Sequence, residues 1–171
     1  MDLKSLIRDV PDFPKPGVNF KDITPLLKDP LAFRTVIDRL AEVSMPRGPE
    51  AVVAMESRGF LFGAPLACSL GVPFVPLRKA GKLPAERVSV EYSLEYGSGQ
   101  LDMHRDALQH GQKVAIVDDL LATGGTAVAA AELVESVGAV VGHFSFVVEL
   151  EFLGGRQRLS GYEVSTLLCF T

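Results

Sequence analysis

The sequence predicts an α/β fold in which helices flank a mostly parallel central sheet. Short apolar runs rich in β-branched residues alternate with longer segments whose apolar residues recur at helical spacing. Strands that alternate with helices form parallel sheets, because each helix carries the chain back across the sheet. The chain has 171 residues and no internal repeat or linker, so we expect a single domain over residues 1–171.

The individual segments follow from their spacing and their turn residues. We expect a short amphipathic helix at residues 2–9 and an ordered loop at 11–25, where four prolines occur without a regular period. The predicted strands cover residues 51–55, 73–77, 114–117, 139–150 and 163–170. The predicted helices lie within residues 31–44, 56–70 and 127–137, and a short helical turn is expected at 153–159.

The composition is that of a globular protein, with 47% hydrophobic and 22% charged residues. Its formal net charge of −4 argues against a general nucleic-acid surface, which requires an excess of Lys and Arg. Residues 1–10 carry early charges and lack the apolar core of a signal peptide, and no apolar stretch approaches the length of a membrane span. We therefore expect a cytoplasmic protein that has neither nucleic acid nor membrane as a partner.

The cysteines and histidines do not indicate a metal site. Cys68 and Cys169 lie in apolar surroundings, which favours free buried thiols over a disulfide. His104, His110 and His143 are scattered, without partners at metal-ligand spacing, so we expect surface or packing roles for them.

The most informative stretch is VAIVDDLLATGGT at residues 114–126. A buried strand leads to two carboxylates, Asp118 and Asp119, and then to a glycine-threonine turn and an alanine-rich helix. In an open α/β sheet such junctions form the ligand crevice, and a glycine loop at a helix N-terminus suits a phosphate. Carboxylates that faced the phosphate would repel it, so we interpret them as acceptors for a vicinal diol. A sugar phosphate is the simplest ligand for such a site.

Plainer interpretations of the same stretch exist. A buried strand, a surface acidic pair and an ordinary glycine turn could follow one another without any common role. Other phosphate motifs fit less well, because no Lys-Ser/Thr follows the glycines as in a P-loop and no G-x-G-x-x-G opens a helix. A phospho-acceptor pocket could use the acidic pair, but it does not require the turn that follows.

Residues 114–126 also resemble the signature of the type I phosphoribosyltransferases, four apolar residues followed by D-D-x-x-x-T-G-G-T. The resemblance implies the fold of that family, with a small hood over the base that about residues 1–30 help to form. It also implies that the stretch binds phosphoribosyl diphosphate (PRPP). The residues that it assigns to PRPP here are Asp118, Asp119, Ala122, Thr123, Gly124, Gly125 and Thr126.

A second strand-to-helix junction lies at Met55–Phe60. Its N–H groups can hold another anion and Arg58 adds a cation, although an Arg that pairs with a nearby carboxylate is common. In the family this loop holds the diphosphate, which is the leaving group. The resemblance therefore assigns Ser57 and Arg58 to PRPP and makes Arg58 a candidate catalytic residue.

Arg78, Lys79 and Lys82 form a cationic cluster just after a predicted strand. A solvated basic loop is the ordinary interpretation of such a run. Because PRPP carries several negative charges, we expect at least one of these cations to meet the diphosphate. In the family the equivalent of Arg78 can reach across a dimer interface, so the resemblance also implies a homodimer.

Residues 82–99 contain alternating apolar positions, and an exposed hairpin is one interpretation of them. They also resemble the mobile loop that closes over PRPP and excludes water during the reaction. Within them, Glu95 and Tyr96 match the adenine-specific members of the family. We assign Tyr96 to PRPP binding and Glu95 to the purine proton, with a solvent-exposed carboxylate as the alternative role for Glu95.

Residues 11–27 resemble the segment that covers the purine in the adenine-specific members. The resemblance implies that Phe20 stacks on the purine, that main-chain groups around Asn19 and Lys21 read its edge, and that Leu150 lies on its other face. Many relatives have Arg at the position of Lys21, so the contact is assigned to the backbone. Taken alone, a Phe and a Leu are core residues far more often than ligand walls.

The resemblance implies a purine salvage enzyme that converts adenine and PRPP to AMP and diphosphate by pentosyl transfer. It also implies Mg²⁺ that arrives with PRPP, which agrees with the lack of a ligand cluster in the sequence. A phosphoribosyltransferase for xanthine, hypoxanthine or orotate is the nearest alternative. A PRPP-binding regulator of nucleic acid is another, but the acidic charge and the lack of an added DNA-binding segment disfavour it.

Overall fold

The structure, a computed structural model, describes residues 1–94 and 97–171. Its strands are β1 (Arg8–Val10), β2 (Phe20–Asp22), β3 (Ala51–Met55), β4 (Phe74–Lys79), β5 (Arg87–Leu94), β6 (Gly97–His104), β7 (Lys113–Leu121), β8 (Val140–Leu150) and β9 (Val164–Phe170). Its α-helices are α1 (Thr24–Lys28), α2 (Pro30–Ser44), α3 (Gly59–Leu70), α4 (Gly125–Ser136) and α5 (Gly155–Arg158). Short 3₁₀ turns occupy Lys4–Leu6, Met45–Arg47 and Glu151–Leu153.

The predicted mostly parallel sheet is confirmed. Seven strands pair in the order β5-β6-β4-β3-β7-β8-β9, and the five from β4 to β9 in that order are parallel. The hairpin of β5 and β6 joins the edge of β4 in antiparallel pairing. Because successive side chains of a strand point to opposite faces, β3 buries Val53 against the α4 side and Val52 against the α2 and α3 side. The sheet is therefore covered on both faces, as its apolar strands require.

The predicted helix at residues 2–9 is wrong. Only Lys4–Leu6 is helical, and the chain then enters β1, which pairs antiparallel with β2. The expected irregular loop at 11–25 is wrong in the same way, since it contains β2 and the start of α1. β1 and β2 form their hydrogen bonds with each other across the proline-containing turn. This pairing decides their conformation, although the local sequence pattern favours a helix and a loop.

Two further expectations need correction. The motif strand continues to Leu121, so the two carboxylates lie within β7, beside β8, and do not follow the strand. Both cysteines are free as predicted, but Cys68 is exposed and Cys169 only partly buried. Cys68 lies on the outer side of α3, a helix that is apolar around its whole circumference. In the part of the chain that the structure describes, no helix is long and apolar enough to span a membrane.

Candidate active site

Two strand-to-helix junctions meet at one edge of the sheet. Strands β3 and β7 are parallel neighbours, with Ala54 opposite Val117, so both chains leave the sheet at the same edge. The turn Glu56–Arg58 leads into α3, and the turn Ala122–Gly124 leads into α4. A cleft of about 360 Å³ lies between them. It is lined by Glu56, Ser57, Arg58, Lys79, Tyr92, Leu101, Asp118, Asp119, Leu120, Leu121, Ala122, Thr123, Gly124, Gly125, Thr126, Ala127 and Phe146.

The helices at these junctions begin without a side-chain cap. Among the described residues, no side chain accepts a hydrogen bond from the first turn of α3 or of α4, and neither first turn contains an acidic residue. By contrast, the side chain of Asp29 caps α2 by accepting from the N–H groups of Leu31 and Ala32. In α3 the N–H groups of Phe60 and Leu61 donate to the carbonyl oxygens of Ser57 and Arg58, both at 3.2 Å, whereas the positive end of the helix dipole is not neutralised within the first turn of either helix. The cleft therefore offers two places for an anion.

The two carboxylates lie on the floor of the cleft. Asp118 is half-buried and accepts a hydrogen bond from the Asp119 N–H at 2.9 Å, while Asp119 is only 3% exposed. Burial raises the pKa of Asp118 well above its usual range, and the charge of Asp119 raises it further. Burial also raises the pKa of Asp119, which the Arg58 guanidinium opposes. The cleft thus holds two carboxylates whose charges are poorly solvated.

Arg58 connects these carboxylates to the N-terminal hood. Its Nε lies 2.9 Å from Oδ2 of Asp119, but that oxygen has no well-aligned hydrogen-bond partner among the described residues. On its other side, the guanidinium carbon lies 5.4 Å from the ring centroid of Phe20. Phe13 supports that ring edge-on, with the two centroids 5.2 Å apart. The hood strand β2 therefore lies beside the cation at the cleft.

The N-terminus of α3 approaches Asp118 very closely. A Cβ atom on Gly59 would lie 2.8 Å from Asp118 Oδ1 and 3.1 Å from the Val117 carbonyl oxygen. Only a residue without a side chain fits there. The closeness of α3 to β7 places the two anion positions on either side of the carboxylates.

The structure brings only part of the predicted cationic cluster into the cleft. Lys79 lines the cleft, and its N–H donates to the Glu56 carboxylate at 2.9 Å. The guanidinium of Arg78 donates to the same carboxylate at 3.2 and 3.3 Å and to the carbonyl oxygen of Lys82 at 3.2 Å. The hydrogen bonds from Arg78 contribute most to lowering the pKa of Glu56, and the one from the Lys79 N–H lowers it further. Arg78 and the exposed Lys82 do not line the cleft, so their contact with diphosphate stays a prediction.

The residues predicted to contact the base do not line this cleft, and among them Phe20 contacts the cleft residue Arg58. Phe20 is half-buried and Asn19 exposed, whereas Leu150 is buried in the core that α2 and α3 share with the sheet. The Nζ of Lys21 is paired with Asp9 and lies 4.3 Å from the ring centroid of Phe170. The Lys21 side chain is thus engaged elsewhere, which agrees with the assignment of its backbone to the base. The assignments of Glu95 and Tyr96 lie outside the described residues.

Sequence reasoning missed several residues of the site. Glu56 holds the Arg78 and Lys79 segment, and an acidic residue directly before Ser57-Arg58 was an available signal for it. Tyr92, Leu101 and Phe146 also line the cleft, but nothing in their local sequence distinguishes them from ordinary strand residues. Their place depends on the strand order, which local patterns do not contain.

Comparisons with known proteins agree with this geometry. The family model of the phosphoribosyl transferase domain matches residues 23–153, and the fold and the cleft define a protein of this class. An adenine phosphoribosyltransferase of Caldanaerobacter subterraneus subsp. tengcongensis is 57% identical over 99% of this chain and 98% of its own length. The chain belongs to the adenine phosphoribosyltransferase family, and the resemblance seen in the sequence is confirmed.

Solved structures of the family superpose closely on this chain. The adenine phosphoribosyltransferase of Thermoanaerobacter pseudethanolicus has a TM-score of 0.96 at 56% identity, covering 99% of this chain and 98% of its own. The enzyme of Saccharomyces cerevisiae has a TM-score of 0.92 at 45% identity, covering 98% and 97%. That structure is a complex with adenine and D-2,5-dideoxy-2,5-imino-altritol 1,6-bisphosphate.

Proposed function

We propose that this protein transfers the 5-phosphoribosyl group of PRPP to N9 of adenine, giving AMP and diphosphate. One observation carries the proposal: two uncapped helix N-termini lie on either side of a carboxylate pair. PRPP has the matching pattern of charge, with a phosphate at one end, a diphosphate at the other and a diol between them. The relatives named above support adenine as the acceptor.

The sugar phosphate occupies the β7–α4 side of the cleft in this proposal. The N–H groups and hydroxyls of residues 122–126 bind the 5′-phosphate at the start of α4. Asp118 and Asp119 accept hydrogen bonds from the two ribose hydroxyls. Because burial leaves these carboxylates poorly solvated, donors from the ligand stabilise their charged forms.

The diphosphate occupies the β3–α3 side. Ser57 offers a hydroxyl, while Arg58 and Lys79 offer positive charge at the cleft wall. As the bond from C1′ to the diphosphate breaks, negative charge grows on the leaving group and positive charge on the sugar ring. The protein supplies no covalent nucleophile in this account, and it accelerates the reaction by positioning and by stabilising charge.

We propose that Mg²⁺ enters with PRPP. Within the described residues, no group of three or more His, Cys, Asp or Glu side chains could hold a metal ion. Asp119 Oδ2 is buried without an aligned hydrogen-bond partner, and it would be the carboxylate oxygen available to a metal ion that is held mainly by the substrate. Mg²⁺ fits such a place, because it commonly keeps its waters and uses substrate phosphates with one or two carboxylates. When bound, it neutralises the leaving diphosphate.

Adenine lies under the hood in this account. Phe20 and Leu150 cover its two faces, and main-chain groups of Asn19 and Lys21 read its edge. Glu95 accepts the proton that leaves the purine, and Tyr96 helps to hold PRPP. We further propose that the protein is a cytoplasmic homodimer in which Arg78 approaches the partner's cleft, and light scattering tests the dimer.

A base-competition assay tests the function. The purified protein is incubated with PRPP, Mg²⁺ and each of adenine, hypoxanthine, guanine, xanthine and orotate in turn, and nucleotide and diphosphate are measured. We expect AMP and diphosphate in equal amounts with adenine, and no comparable turnover with the other bases. Preferential use of another base, or PRPP binding without diphosphate release, would contradict the proposal.

A further inference from the structure

The loop at residues 122–126, to which the proposal assigns the 5′-phosphate, packs backbone to backbone against α5. A Cβ atom on Gly155 would overlap the carbonyl oxygen of Ala122 and lie 3.0 Å from the nitrogen of Gly124. In the opposite direction, a Cβ atom on Gly124 would lie 2.8 Å from the carbonyl oxygen of Gly155. The backbones at Gly124 and Gly155 are thus in direct contact, and neither position has room for a side chain.

Gly155 is held in place by the residue that follows it. The guanidinium of Arg156 donates to both carboxylate oxygens of Glu149, at 2.9 and 2.5 Å. It also donates to the carbonyl oxygen of Val164 at 2.9 Å and to the hydroxyl of Thr166 at 3.2 Å. Glu149 is only 3% exposed, and Arg156 lowers its pKa. The Arg156 side chain is itself 46% exposed, but a bidentate ion pair onto a buried carboxylate still favours one geometry of its two partners.

The carboxylate that anchors Arg156 belongs to the same edge of the sheet as the loop. Glu149 lies opposite Leu121 in the pairing of β7 with β8, and Leu121 directly precedes the loop. The chain thus forms a closed frame from Leu121 through the loop to Gly155, and from Arg156 back to Glu149. The frame therefore connects the loop to the sheet through α5 as well as through Leu121.

We propose that Gly155 and the Glu149–Arg156 ion pair are positioning residues for the loop at 122–126. They set where its N–H groups are presented to the 5′-phosphate. This inference rests on the proposed function, because it assumes that the loop binds that phosphate. None of the three residues lines the cleft, so their effect on binding passes through the loop backbone.

The proposal predicts an effect on phosphate binding alone. A methyl group on Gly155 must displace residues 122–124, and hydrogen bonds to a charged phosphate weaken steeply with distance and angle. The diphosphate side is built on α3 and the Phe20 wall of the base side on β2, and neither has a part in the frame. Leu150, the other proposed wall of the base, follows Glu149 directly on β8, so Gly155→Ala tests the loop more cleanly than a change at Glu149 would. Affinity for ribose 5-phosphate should therefore fall while affinity for adenine is kept.

The test uses Gly155→Ala in the full chain, with calorimetric titration of ribose 5-phosphate, AMP and adenine. We expect ribose 5-phosphate and AMP to bind at least about tenfold more weakly and adenine to bind within about twofold of wild type. In the assay, KM for PRPP should rise by a similar factor, whereas KM for adenine should change little. Gly142→Ala is the control for adding a methyl group to a crowded glycine near the other end of β8, where a Cβ atom would lie 2.9 Å from the Lys113 side chain and 3.1 Å from the carbonyl oxygen of Val114.

A second variant keeps the inference testable if Gly155→Ala folds poorly. Arg156→Lys keeps the positive charge but loses the bidentate geometry, and we expect a weaker effect in the same direction. Arg158→Lys, on the same short helix, is its exposed control. Unchanged ribose 5-phosphate affinity in a folded Gly155→Ala or Arg156→Lys protein, or an equal loss in the control, would overturn the inference.

The inference and the proposed function can fail separately. If wild type binds ribose 5-phosphate and Gly155→Ala weakens it, the inference is supported even if no AMP is formed from adenine and PRPP. If wild type forms AMP and Gly155→Ala leaves both phosphate affinity and KM for PRPP unchanged, only the inference is overturned.

Discussion

Arg58 and Asp119 belong to different elements of the cleft, and their side chains form an ion pair with Nε 2.9 Å from Oδ2. In the proposed reaction, Arg58 neutralises the diphosphate and Asp119 binds a ribose hydroxyl. The same two groups therefore partner each other before the substrate arrives. Under the proposed function each of the two groups makes its own contact with PRPP, Arg58 with the diphosphate and Asp119 with the ribose.

Removal of the Arg58 charge should weaken both contacts. We expect Arg58→Gln to lower kcat/KM for PRPP by about 100-fold, as for the loss of one group that stabilises transition-state charge. Because Arg58 opposes the rise in the pKa of Asp119, the variant should also lose PRPP affinity more steeply than wild type as pH falls. Steady-state kinetics over a range of pH measure both effects. Arg39→Gln on the exposed side of α2 is the control, and equal losses in the two variants would count against the role of Arg58.

Asp118→Asn should stabilise the free protein while it weakens ligand binding. A carboxyl whose pKa is raised in the folded state destabilises that state as pH rises above the unfolded pKa, so the penalty is present near neutral pH. The neutral amide removes it and can still accept the Asp119 N–H. We expect a Tm higher by roughly 2–4 °C, which corresponds to about 1 kcal/mol for a chain of this size.

Binding of ribose 5-phosphate to the same variant should fall by at least about tenfold, because an amide is a weaker acceptor for the diol than a carboxylate. Asp38→Asn, on the exposed side of α2, should change neither property. A lower Tm together with full affinity would contradict both assignments of Asp118.

Phe20→Leu should weaken the binding of adenine while it leaves the binding of PRPP nearly unchanged. Loss of a stacked ring costs about 1–3 kcal/mol per base, so KM for adenine should rise by about tenfold or more. KM for PRPP should stay within about twofold, since Phe20 meets the PRPP side only through Arg58. Phe152→Leu, at an exposed ring, serves as the control. If KM for PRPP rises as much as KM for adenine, Phe20 acts by holding Arg58 and not by stacking.

Glu95→Gln tests the purine proton. The variant keeps the size of the side chain and loses its basicity, so we expect kcat to fall by about 10²–10⁴-fold while PRPP affinity survives. Glu91→Gln, on the exposed side of β5, is the matched control. Wild-type kcat in Glu95→Gln would remove the proton role and leave a solvent-exposed carboxylate.

His143 should make the folded state sensitive to mild acid. It is fully buried, and its Nε2 lies 3.0 Å from the Ser44 hydroxyl. Burial, together with the charge of Arg47, lowers its pKa from 6.5 to about 4. The stability from the neutral ring is complete above the unfolded pKa and is lost as pH falls toward the folded one.

From about pH 7 to about pH 5, this linkage predicts a loss of about 2 kcal/mol in the free energy of unfolding. Urea titrations at the two pH values measure it, and the loss should be smaller by that amount in His143→Gln. An identical pH dependence in both proteins would show that His143 does not carry it.

The sequence predicted the alternation of strands and helices in the central sheet because that pattern is local, and the motif from which phosphate binding is proposed is local too. Four apolar residues, a carboxylate pair and a glycine turn lie within residues 114–126, and their chemistry does not depend on the rest of the chain. The pairing of β1 with β2 could not be predicted in the same way, since these strands exist only as partners of each other. Likewise, the contact of Gly124 with Gly155 joins segments about 30 residues apart, and only the order β7-β8-β9 brings them together.

A crystal structure of the protein with AMP tests the central claim most directly. The account predicts the phosphate at the N–H groups of residues 122–126, both ribose hydroxyls on Asp118 and Asp119, and the purine beside Phe20. AMP bound at another place, with the cleft between α3 and α4 left empty, would contradict it.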